Sequence, residues 1–319
     1  MTKVKKDAVM RNLIAAAVLA PLVVLAGCSD SSNFLGFKKS KGIVYDGYLA
    51  GAKVCVDEVI NRQCDDPPEP ATFTDAEGNF RLTGLTREQS RYPLVAEVVP
   101  GTIDLDTGLP APAGLKYLAP AGSDAISAFS TLVQIRIERE IVAGLNTIPI
   151  SVPDLDAMKA TVTADLSAEL GLPAGLDLTD YDPIKAKNKA SLSAADRLTA
   201  AKLHIVNQIL TAQIVEFLPQ ALANADPGEE SAAYAALIRK LDPAQLLTEL
   251  EAHIALNTLT LADLLDPAFD SAAVPVTDPA VPTIGEINSQ FETDVNVFQS
   301  IVNLTIGEEA VTGGTGGTP

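Results

Sequence analysis

The chain has 319 residues, of which 47% are hydrophobic and 20% are charged, with 23 Lys and Arg against 41 Asp and Glu. This length suffices for two domains with cores of their own, and the apolar fraction excludes wholesale disorder. The formal charge of −18 argues against a general nucleic-acid binder, because neutralising phosphates requires clustered Lys and Arg.

A basic and then apolar segment opens the chain. Four basic residues lie among the first eleven, and residues 13–26 are then apolar apart from Pro21. This order is typical of a secretory signal. The apolar run is too short for the ~20 residues that cross a bilayer as a helix.

The apolar run ends in Leu25-Ala26-Gly27-Cys28, which resembles the bacterial lipobox at all four positions. The resemblance implies that residues 1–27 are a lipoprotein signal peptide, removed after a diacylglyceryl group joins the Cys28 sulfur, and that the new amino terminus is acylated. Several acyl chains give a firm anchor, since each buried methylene contributes ~0.8 kcal/mol. The alternatives are an ordinary signal peptide with an incidental Cys, or a signal anchor.

The residue after the lipidated cysteine indicates which membrane the protein reaches. In lipoprotein sorting an Asp at this place retains a protein at the inner membrane, whereas here Ser29 follows Cys28. The resemblance therefore favours the outer membrane. Loss of residues 1–27 removes four basic residues and one acidic residue, so the formal charge changes from −18 to −21.

Residues 28–41 are predicted to be a lipidated N-terminus followed by a flexible tether rich in Ser and Lys. At ~3.3–3.6 Å per residue, the tether holds the first domain at most ~45 Å from the bilayer. Lys38, Lys39 and Lys41 either contact anionic head groups or are simply solvated.

Two cysteines remain once Cys28 carries lipid. Cys55 and Cys64 lie nine positions apart, and in an exported protein such a pair is most simply a disulfide. A loop of this length gains ~2–3 kcal/mol from the bond in the chain-entropy model. A free thiol pair or a metal site is the alternative, although neither His is near in sequence.

Short β-rich runs separated by turn residues fill residues 42–118. Asp75 and Gly78 have the spacing of a type I turn that ends in a left-handed Gly. Several short strands with turns between them favour a β-sandwich. The predicted strands lie in residues 43–45, 53–56, 71–74, 79–82, 92–99 and 116–118.

The same region resembles a family of small modules over residues 42 to about 100. The matching pattern is Gly42-x-Val44-x-Asp46-Gly47-x-Leu49-x-Gly51-Ala52-x-Val54-Cys55, then Cys64-Asp65, Glu69-Pro70 and Thr74-Asp75-x-x-Gly78-x-Phe80. It is similar to carboxypeptidase-regulatory-like (transthyretin-like) modules and SdrD-type B repeats of bacterial surface proteins. The resemblance implies a Greek-key β-sandwich.

Many such modules carry a calcium-type loop, Asp-x-Asn-x-Asn-Gly, between the cysteines. Here Asp57 and Asn61 match, but Val59 stands where an Asn is usual and no Gly follows. The two interpretations are bound calcium and a solvated acidic loop closed by the disulfide, and the departures favour the second. The weak calcium candidates are the oxygen-bearing residues Asp57, Asn61, Asp65, Asp66 and Glu69.

A second acidic stretch, residues 104–108, resembles the opening of a calcium loop. The bidentate Glu expected at loop position twelve falls on Leu115. This stretch is therefore predicted to be a turn.

From Ser123 onward, apolar residues recur with the 3.6-residue period of helices. Ser193, Asp242 and Thr283 are predicted helix starts, and Pro219 is predicted to kink or end a helix. The predicted fold is α+β in two domains, a small Greek-key β-sandwich over 42–118 followed by an α-helical bundle. The segments after the sandwich are a helical domain over 119–266, a Pro-rich linker over 267–282, a helix over 283–306 and a flexible tail over 307–319.

Motifs of catalysis are absent from the sequence, which has no nucleophile elbow, zinc-protease helix, P-loop or dinucleotide fingerprint. A Ser-His-Asp triad would require His204 or His253, and His204 is interpreted as a boundary residue or a hydrogen-bonded core residue because its helix is strongly apolar. The absence of Trp removes the usual platform for stacking sugars. The remaining aromatic candidates for an exposed platform near the sandwich are Tyr45, Tyr48 and Tyr92, and packing explains each of them at least as well.

The sequence thus predicts a non-enzymatic lipoprotein of the outer membrane, anchored through lipid at Cys28. Its role is structural, adhesive or binding, with an envelope or extracellular protein or a glycan as partner, and with no nucleic acid and no cofactor besides the weak calcium candidate. The alternative is a lipid-anchored hydrolase whose acidic residues form a site without a recognisable motif.

Overall fold

A computed structural model describes residues 38–65, 69–144, 152–266 and 269–297. The predicted signal peptide, Cys28, most of the tether and the tail over 307–319 therefore lie outside the described residues. Within these ranges, no helix combines the length and the apolar character that crossing a bilayer requires.

The described residues form ten strands in three small sheets, ordered β10-β1-β5, β2-β7-β8 and β4-β3-β6-β9. All pairs are antiparallel except β1 with β10, which is parallel. The strands are β1 Lys38–Val44, β2 Leu49–Ala50, β3 Lys53–Val56, β4 Ala71–Phe73, β5 Asn79–Leu85, β6 Leu94–Glu97, β7 Ile103–Asp104, β8 Leu109–Pro110, β9 Lys116–Ala119 and β10 Ala125–Ile126.

The predicted turn between β4 and β5 is confirmed. The Gly78 amide donates to the Asp75 carbonyl at 3.1 Å, and Gly78 has a φ of 80°, which suits a residue without Cβ. The predicted turn in residues 104–108 is confirmed as the connection of the β7–β8 hairpin.

Eight helices follow in the described part of the chain, and α4 is the longest. Residues 284–297 are helical and form α8, the described part of the predicted final helix. The other helices are α1 Ala128–Gly144, α2 Val152–Glu169, α3 Pro183–Asn188, α4 Ala194–Ala223, α5 Glu230–Ile238, α6 Pro243–Leu256 and α7 Leu261–Leu265.

The three predicted helix starts are confirmed by their capping bonds. Ser193 accepts a hydrogen bond from the Asp196 amide at the start of α4, and Asp242 accepts one from Gln245 at the start of α6. At the start of α8 the Thr283 amide donates to the Glu286 carboxylate at 2.9 Å, and the Glu286 amide donates to the Thr283 hydroxyl at 3.3 Å. Each cap satisfies an amide that the helix leaves unpaired.

Pro219 does not end its helix, because α4 continues through it to Ala223. Pro219 has no N–H to donate to the Val215 carbonyl. Both residues lie on the exposed side of α4. Water is available to the free carbonyl there, so the missing hydrogen bond does not break the helix.

Strands and helices share one large buried cluster, which includes Val54 and Leu118 from the sheets and Phe129, Leu210 and Leu250 from the helices. The mixed α and β composition predicted from the sequence is therefore confirmed. The finer division into a Greek-key sandwich and a separate bundle stays a prediction.

Gly42 allows β1 to pass very close to the backbone that precedes β10. An added Cβ at Gly42 would lie 2.1 Å from the carbonyl oxygen of Asp124 and 2.6 Å from its carbonyl carbon. The Ile43 amide donates to the same carbonyl oxygen at 2.9 Å. A hydrogen bond therefore holds the two backbone segments together at the place where a Cβ on Gly42 would clash.

We expect Gly42→Ala to lower the free energy of unfolding by about 1–3 kcal/mol, because backbone atoms must move to admit the methyl group. Urea unfolding measures this change. Gly285→Ala is the matched control, since its Cβ meets nothing within 4 Å and its helical position favours Ala by about 0.5–1 kcal/mol. Equal stabilities of the two variants would contradict the close approach.

Candidate functional sites

The predicted disulfide between Cys55 and Cys64 is present, with the two Cα atoms 5.6 Å apart. Cys55 is fully buried in β3, an inner strand of the four-stranded sheet. The bond therefore fixes the far end of the loop, which has eight residues between the two cysteines, to the middle of this sheet.

The acidic side chains of this loop bind its own backbone. Asp57 accepts hydrogen bonds from the amides of Asn61 and Arg62, at 3.0 and 2.8 Å. Glu69 accepts from two further loop amides, at 3.2 and 2.9 Å, and the Asn61 side chain donates to Asp65 at 2.7 Å. These carboxylate oxygens face N–H donors, whereas a calcium site needs them to face the ion.

The calcium interpretation gains no support from the loop geometry. Among the described residues, no group of three or more His, Cys, Asp or Glu is arranged to hold a metal ion, and Asp66 lies outside the described residues. The picture of a solvated acidic loop is wrong for Asp57 and Glu69, because both are buried. Their role is to shape the loop.

Burial has a large electrostatic effect on Asp57. Desolvation raises the pKa of this carboxyl to about 7, from an ordinary value of 3.8, and the nearby Glu69 adds to the increase. The two loop amides and the Arg62 charge oppose the shift without cancelling it.

Arg62 extends from the disulfide loop into the helices and is only 2% exposed. Its guanidinium donates to Glu138 on α1 at 2.6 Å and to both carboxylate oxygens of Asp294 on α8, at 2.6 and 2.8 Å. It also donates to the Ser231 hydroxyl on α5 at 2.8 Å. One side chain thus joins the strand-rich part to three helices.

The charges around Arg62 compensate one another. Burial by itself lowers the pKa of Arg62, but the Glu138 and Asp294 carboxylates outweigh that effect, so the guanidinium stays charged. Gln134 and Gln290 donate to the same two carboxylates, each at 2.8 Å. The ion pairs therefore sit inside a network of hydrogen bonds, as buried charges require.

The backbone of the loop is strained where Arg62 enters the helices. Arg62 has a φ of 59° and Ile60 a φ of 55°, a left-handed region that residues with a Cβ rarely adopt. The disulfide and the Asp57 carboxylate hold the loop in this conformation.

A second polar cluster surrounds His204 on α4, which is 2% exposed. Its Nδ1 lies 2.6 Å from the Lys187 ammonium on α3. Its Nε2 lies 2.8 Å from the carbonyl oxygen of Asp46 in the turn after β1 and 3.0 Å from the Asp106 carboxylate in the β7–β8 turn. We name these four residues, together with Asn207, the His204 cluster.

The partners of His204 define its hydrogen-bonding state. An ammonium only donates, whereas a carbonyl and a carboxylate accept, so Nδ1 accepts from Lys187 and the Nε2 hydrogen is shared between Asp46 and Asp106. Both ring nitrogens are engaged, and the prediction of a hydrogen-bonded core histidine is confirmed. The imidazole therefore joins elements of the fold and offers no free basic nitrogen.

The ionisable neighbours of His204 are partly shielded from water. Burial raises the pKa of Asp106, but the His204 hydrogen bond and the Lys187 charge outweigh it, so this pKa lies below its usual range. Burial lowers the pKa of Lys187, and Asp106 offsets part of that shift. Burial also raises the pKa of Asp46 well above its ordinary value, with Asp104 and Asp106 adding to the effect.

Asn207 connects the His204 cluster to the core. Its side-chain oxygen accepts from the Ala128 amide at the start of α1, at 3.1 Å, and its nitrogen lies 3.3 Å from the Asp46 carboxylate. Asn207 is fully buried. Its amide therefore positions the start of α1 against the turn after β1.

Of the two interpretations of the aromatic candidates, the structure supports packing, because these tyrosines do not form an exposed platform. Tyr45 is 0% exposed and Tyr92 is buried, while Tyr48 is partly buried and its hydroxyl donates to Asp182 at 2.9 Å. The aromatic residue at the surface of the strand-rich part is Phe73, which is 61% exposed on β4. The alternation of apolar and polar residues in the sequence does not reveal the exposure of Phe73, because β4 is only three residues long.

No protein-family model, curated protein or solved structure matches this chain. The lipobox and the module resemblance over residues 42 to about 100 therefore stay predictions. His253, the second candidate for a triad, lies on α6, where its Nδ1 is 3.3 Å from the side-chain nitrogen of Asn257.

We expect Arg62→Met to lower the free energy of unfolding by about 3–5 kcal/mol, because it leaves Glu138 buried without its counter-ion. Adding Glu138→Gln should recover part of this loss in urea unfolding. Arg136→Met is the matched control on α1, since its pair with Glu169 is 30% and 45% exposed and contributes at most about 1 kcal/mol. Equal losses in the two Met variants would contradict the importance of the buried pair.

The raised pKa of Asp57 predicts a contribution to stability that is present below about pH 4 and lost as the pH rises through about 7. Between these values the unfolded chain releases a proton that the folded chain keeps, and the loss is at most about 4 kcal/mol. Asp57→Asn should remove this part of the pH dependence of unfolding.

Asp75 is the control of opposite sign for that measurement. Slight desolvation raises its pKa, but the amides of Asn79 and Glu77 outweigh it, so the pKa lies below the usual range. Its contribution is present at neutral pH and lost on acidification. If Asp57→Asn and Asp75→Asn changed the pH profile in the same direction, the assignment of a raised pKa to Asp57 would be wrong.

Proposed function

We propose that this chain is an exported lipoprotein, anchored to the outer membrane through lipid on Cys28, with a non-enzymatic binding or structural role at the cell envelope. The observation that carries the proposal is the Cys55–Cys64 disulfide. Disulfides persist in oxidising compartments outside the cytoplasm. The lipobox at residues 25–28 supplies the matching export and anchoring signal.

The position of the disulfide strengthens this argument. It closes the loop that carries Arg62 into its ion pairs with Glu138 and Asp294. A reduced chain would hold the strained loop less firmly and would risk leaving a buried carboxylate unpaired. The fold is therefore suited to an oxidising compartment.

The finer architecture belongs to the same proposal, namely a Greek-key sandwich over 42–118 followed by a helical bundle. Two features support it. Among the described residues, the strands of all three sheets end by residue 126, and the α-helices begin at residue 128. In this arrangement the lipid determines location, the tether determines reach, and the disulfide-closed body presents a binding surface.

The non-enzymatic part of the proposal is supported by the state of His204. The imidazole is buried and both nitrogens are engaged by Lys187 and Asp46, so it is not presented to a substrate as a base. The excess of acidic residues further disfavours nucleic acid as the partner.

We expect Cys28→Ala to move the protein from the detergent-requiring membrane fraction to the soluble fraction, because the sulfur that accepts lipid is gone. Ser29→Ala is the matched control and should leave the protein in the membrane. Mass spectrometry of the native chain should find a mature start at Cys28 with added acyl mass. Unchanged membrane association of Cys28→Ala, or a mature chain that starts elsewhere, would overturn the proposal.

Ser29→Asp tests the choice of membrane separately. This change introduces the inner-membrane retention residue after Cys28, so density-gradient fractionation should find the variant with the inner membrane. A wild-type protein already in the inner-membrane fraction would contradict the outer-membrane assignment while leaving the lipid anchor intact.

A further inference from the structure

The outer face of β1 and β5 carries two positive charges side by side. In the antiparallel register Lys41 lies directly opposite Arg81, and both side chains are exposed. The alternate residues of β5, Phe80 and Leu82, are buried and define the inner face. The two cations therefore point to solvent from neighbouring strands.

This pairing is unfavourable for an isolated protein. Like charges directly opposite each other on antiparallel strands destabilise the pair. Within the described residues, neither Lys41 nor Arg81 has an ion pair, although the chain as a whole is strongly acidic. An anion that binds across both cations would remove the repulsion.

The two cations line a groove of about 500 Å³. Phe73, at the end of β4, borders the groove, and Asp124, which precedes β10, borders it as well. Phe73 is 61% exposed, so a ligand that covered its ring would remove apolar area from water.

The acidic residues of the groove leave the two cations available. Asp75 is committed to its own turn, where its carboxylate accepts hydrogen bonds from the Asn79 amide at 2.8 Å and from the Glu77 amide at 3.0 Å. Asp124 is exposed and forms no ion pair with Lys41 or Arg81. Asp124 lines the groove, and a carboxylate accepts hydrogen bonds from hydroxyl groups.

We propose that this groove binds an acidic saccharide, a sugar unit that carries a carboxylate or a phosphate. Lys41 and Arg81 hold the anionic group, Phe73 stacks on the apolar face of the sugar ring, and Asp124 accepts from its hydroxyls. The inference rests on the proposed function, because it names the class of partner that an envelope-anchored binding protein would meet.

The combination of groups favours a saccharide over other anions. A free inorganic anion uses the two cations but leaves the exposed Phe73 ring without a partner. An anionic bilayer surface is disfavoured because the mature chain has a formal charge of −21 by sequence, which opposes approach. An acidic sugar uses the cations, the ring and the hydroxyl acceptor together.

The test measures saccharide binding by the whole mature chain carrying Cys28→Ala, so its outcome does not depend on lipidation. The probes are oligogalacturonate and glucose 6-phosphate, with neutral maltotetraose and inorganic phosphate for comparison, in isothermal titration calorimetry. We expect at least one acidic sugar to bind more tightly than both comparison ligands, and added salt to weaken that binding.

Variants locate the binding in the groove. Lys41→Gln and Arg81→Gln should each weaken acidic-sugar binding about tenfold, because each removes a charged hydrogen bond, and Phe73→Ala should weaken it as well. Arg139→Gln on α1 and Phe291→Ala on α8 are matched controls that remove an exposed charge and an exposed ring elsewhere. They should bind like the wild type.

Three results would overturn this proposal. The first is the absence of acidic-sugar binding at concentrations up to about 1 mM. The second is equal binding in the groove and control variants. The third is binding to phosphatidylglycerol vesicles or inorganic phosphate without preference for a sugar. None of these results bears on the membrane fractionation that tests the lipid anchor, so the two proposals fail separately.

Discussion

A single buried guanidinium determines how the strand-rich part of this protein meets its helices. Arg62 bonds Glu138 on α1 and Asp294 on α8 from a loop that the Cys55–Cys64 disulfide closes. Removing charges from water costs several kcal/mol per ion, so such an arrangement is stable only while all partners are in place. The oxidation state of two cysteines and the packing of distant helices are therefore coupled through one side chain.

The His204 cluster forms a second polar junction between the same two parts. It connects the turn after β1 and the β7–β8 turn to α3 and α4 through His204, Asp106 and Lys187. Apolar packing is non-directional, whereas these hydrogen bonds require one orientation of each element. Two directional junctions thus select one arrangement from the many that the shared apolar core would allow.

The strand-rich part has one face packed toward the core and another open to solvent, where Lys41, Arg81 and Phe73 lie. Repelling cations and an exposed aromatic ring do not improve the stability of the isolated chain. In our proposal these groups bind the ligand. This interpretation agrees with the proposed function, in which a tethered body presents a binding surface.

The sequence by itself determined the features of this protein that depend on residues close together in the chain. Cys spacing predicted the disulfide, and short-range capping predicted the helix starts at Ser193, Asp242 and Thr283, because all of these depend on residues within ten positions. The sequence pattern does not predict short elements such as α3 and β2, because they contain too few residues to show a period of apolar residues. Only the tertiary structure decided which side chains are buried and which residues they contact. Arg62 bonds Asp294, 232 positions away, and His204 bonds Asp46, 158 positions away. Such pairs carry no local signal, because the chain must fold before their partners are near.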